Sequence, residues 1–241
     1  VLTALLWGLV GGSTLVVGAL VGCFARLPQR VTAGVMAVGA GVLIASVAYE
    51  LVDEAAQATT LKHMVVGMAL GSLAFFAGDV AVSRAGAAQR KRSAAAVAGA
   101  SGSVLAIGAL LDGVPESAAI GVTLLHGGAP STAFVVAVAL SNLPEGLSSS
   151  VAMRRQGHSV RFVLLVWTAI AVASGIAAAV GYAALGDASA GGTAFVMAFA
   201  AGAVLTMLSS TMLPEAAEEG GPMIGLLATA GFIAAVLLDR L

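Results

Sequence analysis

The sequence predicts an all-α integral membrane protein: eight transmembrane helices with an inverted-repeat organisation, forming one domain over residues 1–241. Three observations carry this. Charged residues are 10% of the chain, against about 25% in a soluble domain, too few to cover a globule with ionic side chains. The mean hydropathy is +1.03. Aromatic residues are only 5% while glycine reaches 31 residues, a composition that lets membrane helices approach closely and that strands would not share.

A spanning helix needs about 20 mostly apolar residues, and eight such runs follow one another. Residues 2–25 begin the bundle without a cleavage pattern ahead of a polar mature domain. Residues 31–52 end in Glu50, Asp53 and Glu54, and residues 62–83 contain Asp79. Next come 101–125 and 131–153, each with a Pro-Glu pair inside an apolar run, then 160–183 with no acid. Residues 193–214 end in Glu215, Glu218 and Glu219, and 222–239 close the series. The basic stretch 84–100, with Arg90, Lys91 and Arg92, reads as a cytoplasmic surface loop that anionic lipid could contact.

Basic residues set the orientation, because cytoplasmic loops retain Lys and Arg. Arg26, Arg30, Arg84, Arg90, Lys91, Arg92, Arg154, Arg155 and Arg161 fall on one side of an eight-span chain; Lys62 and Arg240 fall opposite. Both termini are therefore expected outside, in a multi-pass protein of a bacterial inner membrane. The net charge of −1 gives no basic field for nucleic acid. Cys23, the lone cysteine, permits no internal disulfide and reads as a small buried hydrophobe. Small-residue faces, such as that of Gly67 and Gly71, serve packing within the bundle or a homodimer equally well.

Two internal similarities follow. DGVPESAAIG at 112–121 recurs as SNLPEGLSSS at 141–150, and AGVLIASVAYELVDEA at 40–55 pairs more weakly with AGAVLTMLSSTMLPEA at 201–216. Members of each pair cross the membrane in opposite directions under this topology, as in secondary transporters built from inverted repeats.

The first pair carries the chemistry. An ionisable group at bilayer depth costs roughly 2.5–3.5 kcal/mol on insertion scales. Asp112 and Glu116 lie one helical turn apart, and Ser141 and Glu145 repeat the spacing beside Asn142. Antiparallel helices bring the two sets to one depth, where no Lys, Arg or His occurs in the central turns of any span. Three clustered carboxylates cannot all remain ionised without protons or a bound cation. A divalent metal neutralises them with ligand atoms already present, so its binding should release protons. Pro115 and Pro144 lack a backbone N–H; each frees a carbonyl, Leu111 or Leu140, and kinks its helix beside the acids. The remaining candidates read more plainly: Glu50 and Asp53 as interfacial acids, Asp79 as a helix–helix hydrogen-bonding group, His63, His126 and His158 as solvated, and the methionines as packing.

With DGVPES in the fourth span and SNLPEG in the fifth, the chain resembles the ZIP (Zrt/Irt-like) family of divalent metal transporters. In that family the corresponding helices carry H-N-x-P-E-G-like motifs that form a binuclear metal site. The resemblance implies metal ligation by Asp112, Glu116, Ser141, Asn142 and Glu145, with Asp112 in place of the family histidine and Gly113 in place of its asparagine. The sixth span lacks the glutamate that many binuclear members carry, which implies one well-formed site.

A secondary transporter of Zn²⁺, with Mn²⁺, Fe²⁺ or Cd²⁺ as further substrates, is therefore the leading expectation; no catalytic cofactor and no enzymatic activity are expected. Oxygen ligands suit harder cations, whereas Irving–Williams affinity favours Zn²⁺ over Mn²⁺. One alternative is a non-transporting sensor, or a proton-conducting relative, with a degenerate site. A remoter one is an intramembrane hydrolase, although no H-E-x-x-H pair is present.

Overall fold

A computed structural model describes residues 1–25, 27–82, 84, 102–125, 132–185 and 188–239. The side chains of 102–107, 133 and 239 are outside that description, as are Arg26, the basic stretch beyond Arg84, His126 and Arg240. Among the described residues every regular element is helical. The helices are α1 (Leu2–Phe24), α2 (Gln29–Ala58), α3 (Leu61–Val82), α4 (Gly102–Thr123), α5 (Thr132–Arg155), α6 (Val160–Leu185), α7 (Ala190–Gly220) and α8 (Met223–Asp239). Several are long and apolar enough to cross a membrane, so the chain is an all-helical protein compatible with a multi-pass membrane protein.

Burial sorts these helices into inner and outer members. In α2 and α7, 67% and 61% of the most apolar window is enclosed, against 17% in α3. α3 buries only Gly67, Gly71 and Phe75 and turns Val65, Leu70, Leu73 and Phe76 outward. An apolar side chain facing outward costs little in hydrocarbon, where the bilayer replaces the solvent.

Close backbone approach joins inner helix to outer. A Cβ on Gly41 of α2 would collide with the Ala228 carbonyl of α8, and one on Gly231 of α8 would collide with the Val38 carbonyl of α2. The other pair repeats the device: Gly202 of α7 faces the Met68 carbonyl of α3, and Gly71 of α3 faces the Phe199 carbonyl of α7. Only glycine admits such contact. Ser72 of α3 adds polar contacts to α7, donating to the Gly202 carbonyl at 3.2 Å and lying 2.6 Å from the Thr206 hydroxyl.

α2 and α7 share a second irregularity. Each widens into a π-helix, Val47–Val52 in α2 and Leu208–Met212 in α7. These turns begin at the same place in the two similar segments 40–55 and 201–216, as do Gly41 and Gly202 near their starts. A π-turn adds a residue to the ladder and often accompanies a functional site.

The remaining helices set the centre. α1 packs against both α5 and α6, α4 against α6, and α2 against α5. Trp167 of α6, fully buried, anchors a cluster with Leu15, Ala19, Met153 and Ile170. α4 and α5 are thus held between α1 and α6 on one side and the α2–α7 core on the other.

A carboxylate cavity between α4 and α5

Asp112 and Glu116 project from α4, and Ser141 and Glu145 from α5, into one cavity of about 60 Å³. Such a volume accommodates a few water-sized groups. α2 and α7 complete the wall, so all four central helices contribute. Glu116 is the most enclosed acid, at 2% exposure, while Asp112 and Glu145 are half-buried.

Ser141 links the two helices. Its hydroxyl lies 3.4 and 3.2 Å from the two Glu116 oxygens and 2.9 Å from the Val138 carbonyl one turn back. One hydroxyl proton serves one of these acceptors at a time. When it goes to Val138, the Ser141 oxygen lone pairs face the carboxylate, and a proton or a cation can sit between them.

Asn142 has a different position. It is buried at 2% exposure, its amide nitrogen donates to the Gly11 carbonyl of α1 at 3.0 Å, and it does not line the cavity. Asn142 is therefore placed as a tie between α5 and α1 rather than with the acids. Gly113 is buried on the side of α4 facing α6, where an added Cβ would stand 3.7 Å from the Ser174 hydroxyl oxygen.

The acids line the cavity without enclosing an ion. No group of three His, Cys, Asp or Glu side chains among the described residues is drawn together tightly enough to hold one. Closing a coordination shell thus requires side-chain rotation or a small approach of α4 and α5.

Both prolines lie inside continuous helices, Pro115 in α4 and Pro144 in α5. The carbonyl expected to be freed by Pro144, that of Leu140, is covered by Gly39 of α2, whose Cβ would come within 3.0 Å of it. Backbone of the neighbouring helix therefore shields that polar group, and Leu140 is absent from the cavity wall.

Several lining residues were missed in the sequence. Ser148 and Ser149 join the wall from α5, and Thr211 and Glu215 from α7. A signal existed: Ser148 and Ser149 follow Glu145 by one helical turn, and Thr211 precedes Glu215 by one turn. Met36, Met207 and Met212 are buried in the hydrophobic core, in keeping with a packing role, and also line the cavity.

Other acids stand apart from this wall. Asp79 is partly buried on α3 and lines neither this cavity nor the neighbouring one. Asp53 is exposed and accepts a hydrogen bond from Gln57 at 2.7 Å, in keeping with an interfacial position, whereas Glu50 is half-buried within the π-turn of α2. His63 is exposed, 2.7 Å from the Thr60 hydroxyl, and His158 stacks on Phe162 at 4.9 Å. No family model matches the chain, and no match was found among curated proteins.

Proposed function

We propose that this chain is a ZIP-like secondary transporter that moves divalent transition-metal cations into the cytoplasm through the cavity between α4 and α5. The carrying observation is that Asp112, Glu116, Ser141 and Glu145 line one cavity in a predominantly apolar helical bundle. Carboxylates grouped in this way attract a cation and bind it best when deprotonated. The cation is the cargo; Asp112, Glu116 and Glu145 are its proposed charged ligands, with Ser141 as a neutral oxygen donor.

Two further features support the reading. The matched π-turns and reciprocal glycine contacts of α2–α8 and α7–α3 favour an inverted-repeat organisation of eight spans, the architecture of many alternating-access carriers. The methionine thioethers add soft donors beside the hard oxygens, which favours Zn²⁺, Fe²⁺ or Cd²⁺ over Mg²⁺. The arginine pattern favours a topology with both termini outside, in keeping with a bacterial inner membrane.

The test is metal uptake by proteoliposomes, with Zn²⁺, Mn²⁺, Fe²⁺ and Cd²⁺ in competition. Glu116→Ala and Glu145→Ala should each reduce flux at least ten-fold with folding intact. Wild-type flux in both variants would remove the cavity from the pathway.

The side chains' failure to enclose an ion as placed favours a second reading, a metal-sensing or proton-conducting relative. Metal titration of the purified protein with parallel proton counting separates the two. Binding without flux selects the sensor, and proton flux without metal binding selects the conducting form.

A further inference from the structure

A second cavity, of about 80 Å³, adjoins the first. Its wall takes Gln29 and Thr32 from the start of α2, Arg155 from the end of α5, and Glu219 from the end of α7. Ser148 and Glu215 line both cavities. The two spaces therefore meet at a short septum made by a hydroxyl of α5 and a carboxylate of α7. The outer one lies at the helix ends that carry Arg30, Arg154, Arg155 and Arg161.

We infer that the second cavity is the outlet of the carboxylate cavity on the arginine-bearing face, and that Glu215 is the relay carboxylate through which a cation passes between them. The inference rests on the transport reading for what moves, but the adjacency of the two cavities stands without it.

Charge gives the septum its selectivity. A cation leaving Asp112, Glu116 and Glu145 meets an outer wall that is largely apolar or neutral, with Leu147, Val151 and Ala152, apart from Glu215, Glu219 and Arg155. Glu215, on the wall of both cavities, divides that step into two shorter ones, and Glu219, on the outer wall, supplies the next carboxylate. A single strong site would hold the ion, whereas successive sites of similar strength let it leave. Arg155 shares the outer wall with the two acids and leaves the outlet less negative than the inner cavity. That falling attraction favours release toward the arginine face.

The route can be read without measuring transport. In a Cys23→Ser background, Ser148→Cys gives one thiol at the septum. In sealed vesicles of opposite orientation, a membrane-impermeant cationic methanethiosulfonate should label it at least ten-fold faster from the arginine face. Millimolar Zn²⁺ should slow that labelling several-fold. Faster labelling from the other face, or labelling from neither, overturns the outlet, and indifference to Zn²⁺ overturns passage of metal through it.

Glu215→Gln tests the relay. Zn²⁺ flux should fall about ten-fold, with equilibrium Zn²⁺ affinity reduced far less than by Glu116→Gln. The cationic reagent should also lose most of its advantage over an anionic one at Ser148→Cys. Unchanged flux together with an unchanged reagent preference overturns the relay. If the wild-type protein moves no metal while Ser148→Cys still reacts from the arginine face, the transport reading fails and the outlet stands.

Discussion

A carboxylate on α4 and an amide on α5 have been given opposite tasks. Glu116 faces the cavity, while Asn142, adjacent to Ser141 in the chain, holds the first helix through the Gly11 carbonyl. Replacing Asn142 by alanine should therefore affect stability more than metal affinity. Interhelical hydrogen bonds in membranes contribute about 0.6 kcal/mol on average, so Asn142→Ala should lower the thermal midpoint in detergent by a few degrees. Zn²⁺ affinity should stay within about three-fold of wild type, and a ten-fold loss in a fully folded variant would return Asn142 to the ligands. The acids make a separate prediction in pH. A metal needs deprotonated ligands, so affinity should fall as pH falls and proton release per metal should rise. Calorimetry in buffers of different ionisation enthalpy measures both; pH-independent affinity from 5.5 to 8 would be inconsistent with carboxylate ligation.

At the next scale, close backbone approach joins helix pairs alongside the side-chain clusters. Gly41 and Gly231 let α2 and α8 meet, and Gly71 and Gly202 do the same for α3 and α7. Valine at Gly202 would force its side chain into the Met68 carbonyl, separating the helices or displacing α3. Gly202→Val should greatly reduce the yield of monodisperse protein on size exclusion, whereas Gly191→Ala, at a position with nothing within 4 Å of an added Cβ, should not. These contacts explain what the sequence could not reveal. Apolar run length locates helices, and the spacing of Asp112 from Glu116 and of Ser141 from Glu145 places each pair on one face. Neither says which glycine meets which carbonyl. The direction of Asn142 was likewise illegible, because an amide beside an acid motif resembles a ligand until its neighbour in α1 is known. Glu215 was legible in principle, through its turn-spacing from Thr211, but its place after a long apolar run read as a span end.

Among the described residues, Asp112, Glu116, Ser141, Glu145 and Glu215 gather where four helices meet, and many large apolar side chains face outward. α3 exposes leucine, valine and phenylalanine along much of its length, as a lipid-facing helix can. The proposed topology, drawn from the arginine distribution in the sequence, gives this arrangement a direction. A C-terminal alkaline phosphatase fusion should be active in bacterial cells and a fluorescent-protein fusion at the same place dark. The reverse pair of outcomes would invert the topology and, with it, the side on which the outlet opens.

The widened turn Leu208–Met212 has one more consequence. An extra residue in a helical ladder sets everything after it back by up to about 100° around the axis, since each residue of an α-helix turns that far. Glu215 follows directly after this turn and lines the cavity, so the shift bears on the face of α7 from which it projects. Deleting Ser210, within the widened turn and exposed, should let α7 relax to an unbroken α-helix and swing Glu215 off the wall. The chain would remain helical, with unaltered circular dichroism, yet the acid would point elsewhere. In this protein the aim of a carboxylate is thus set by a count of residues upstream, and a one-residue deletion could silence it without changing a single side chain that lines the cavity.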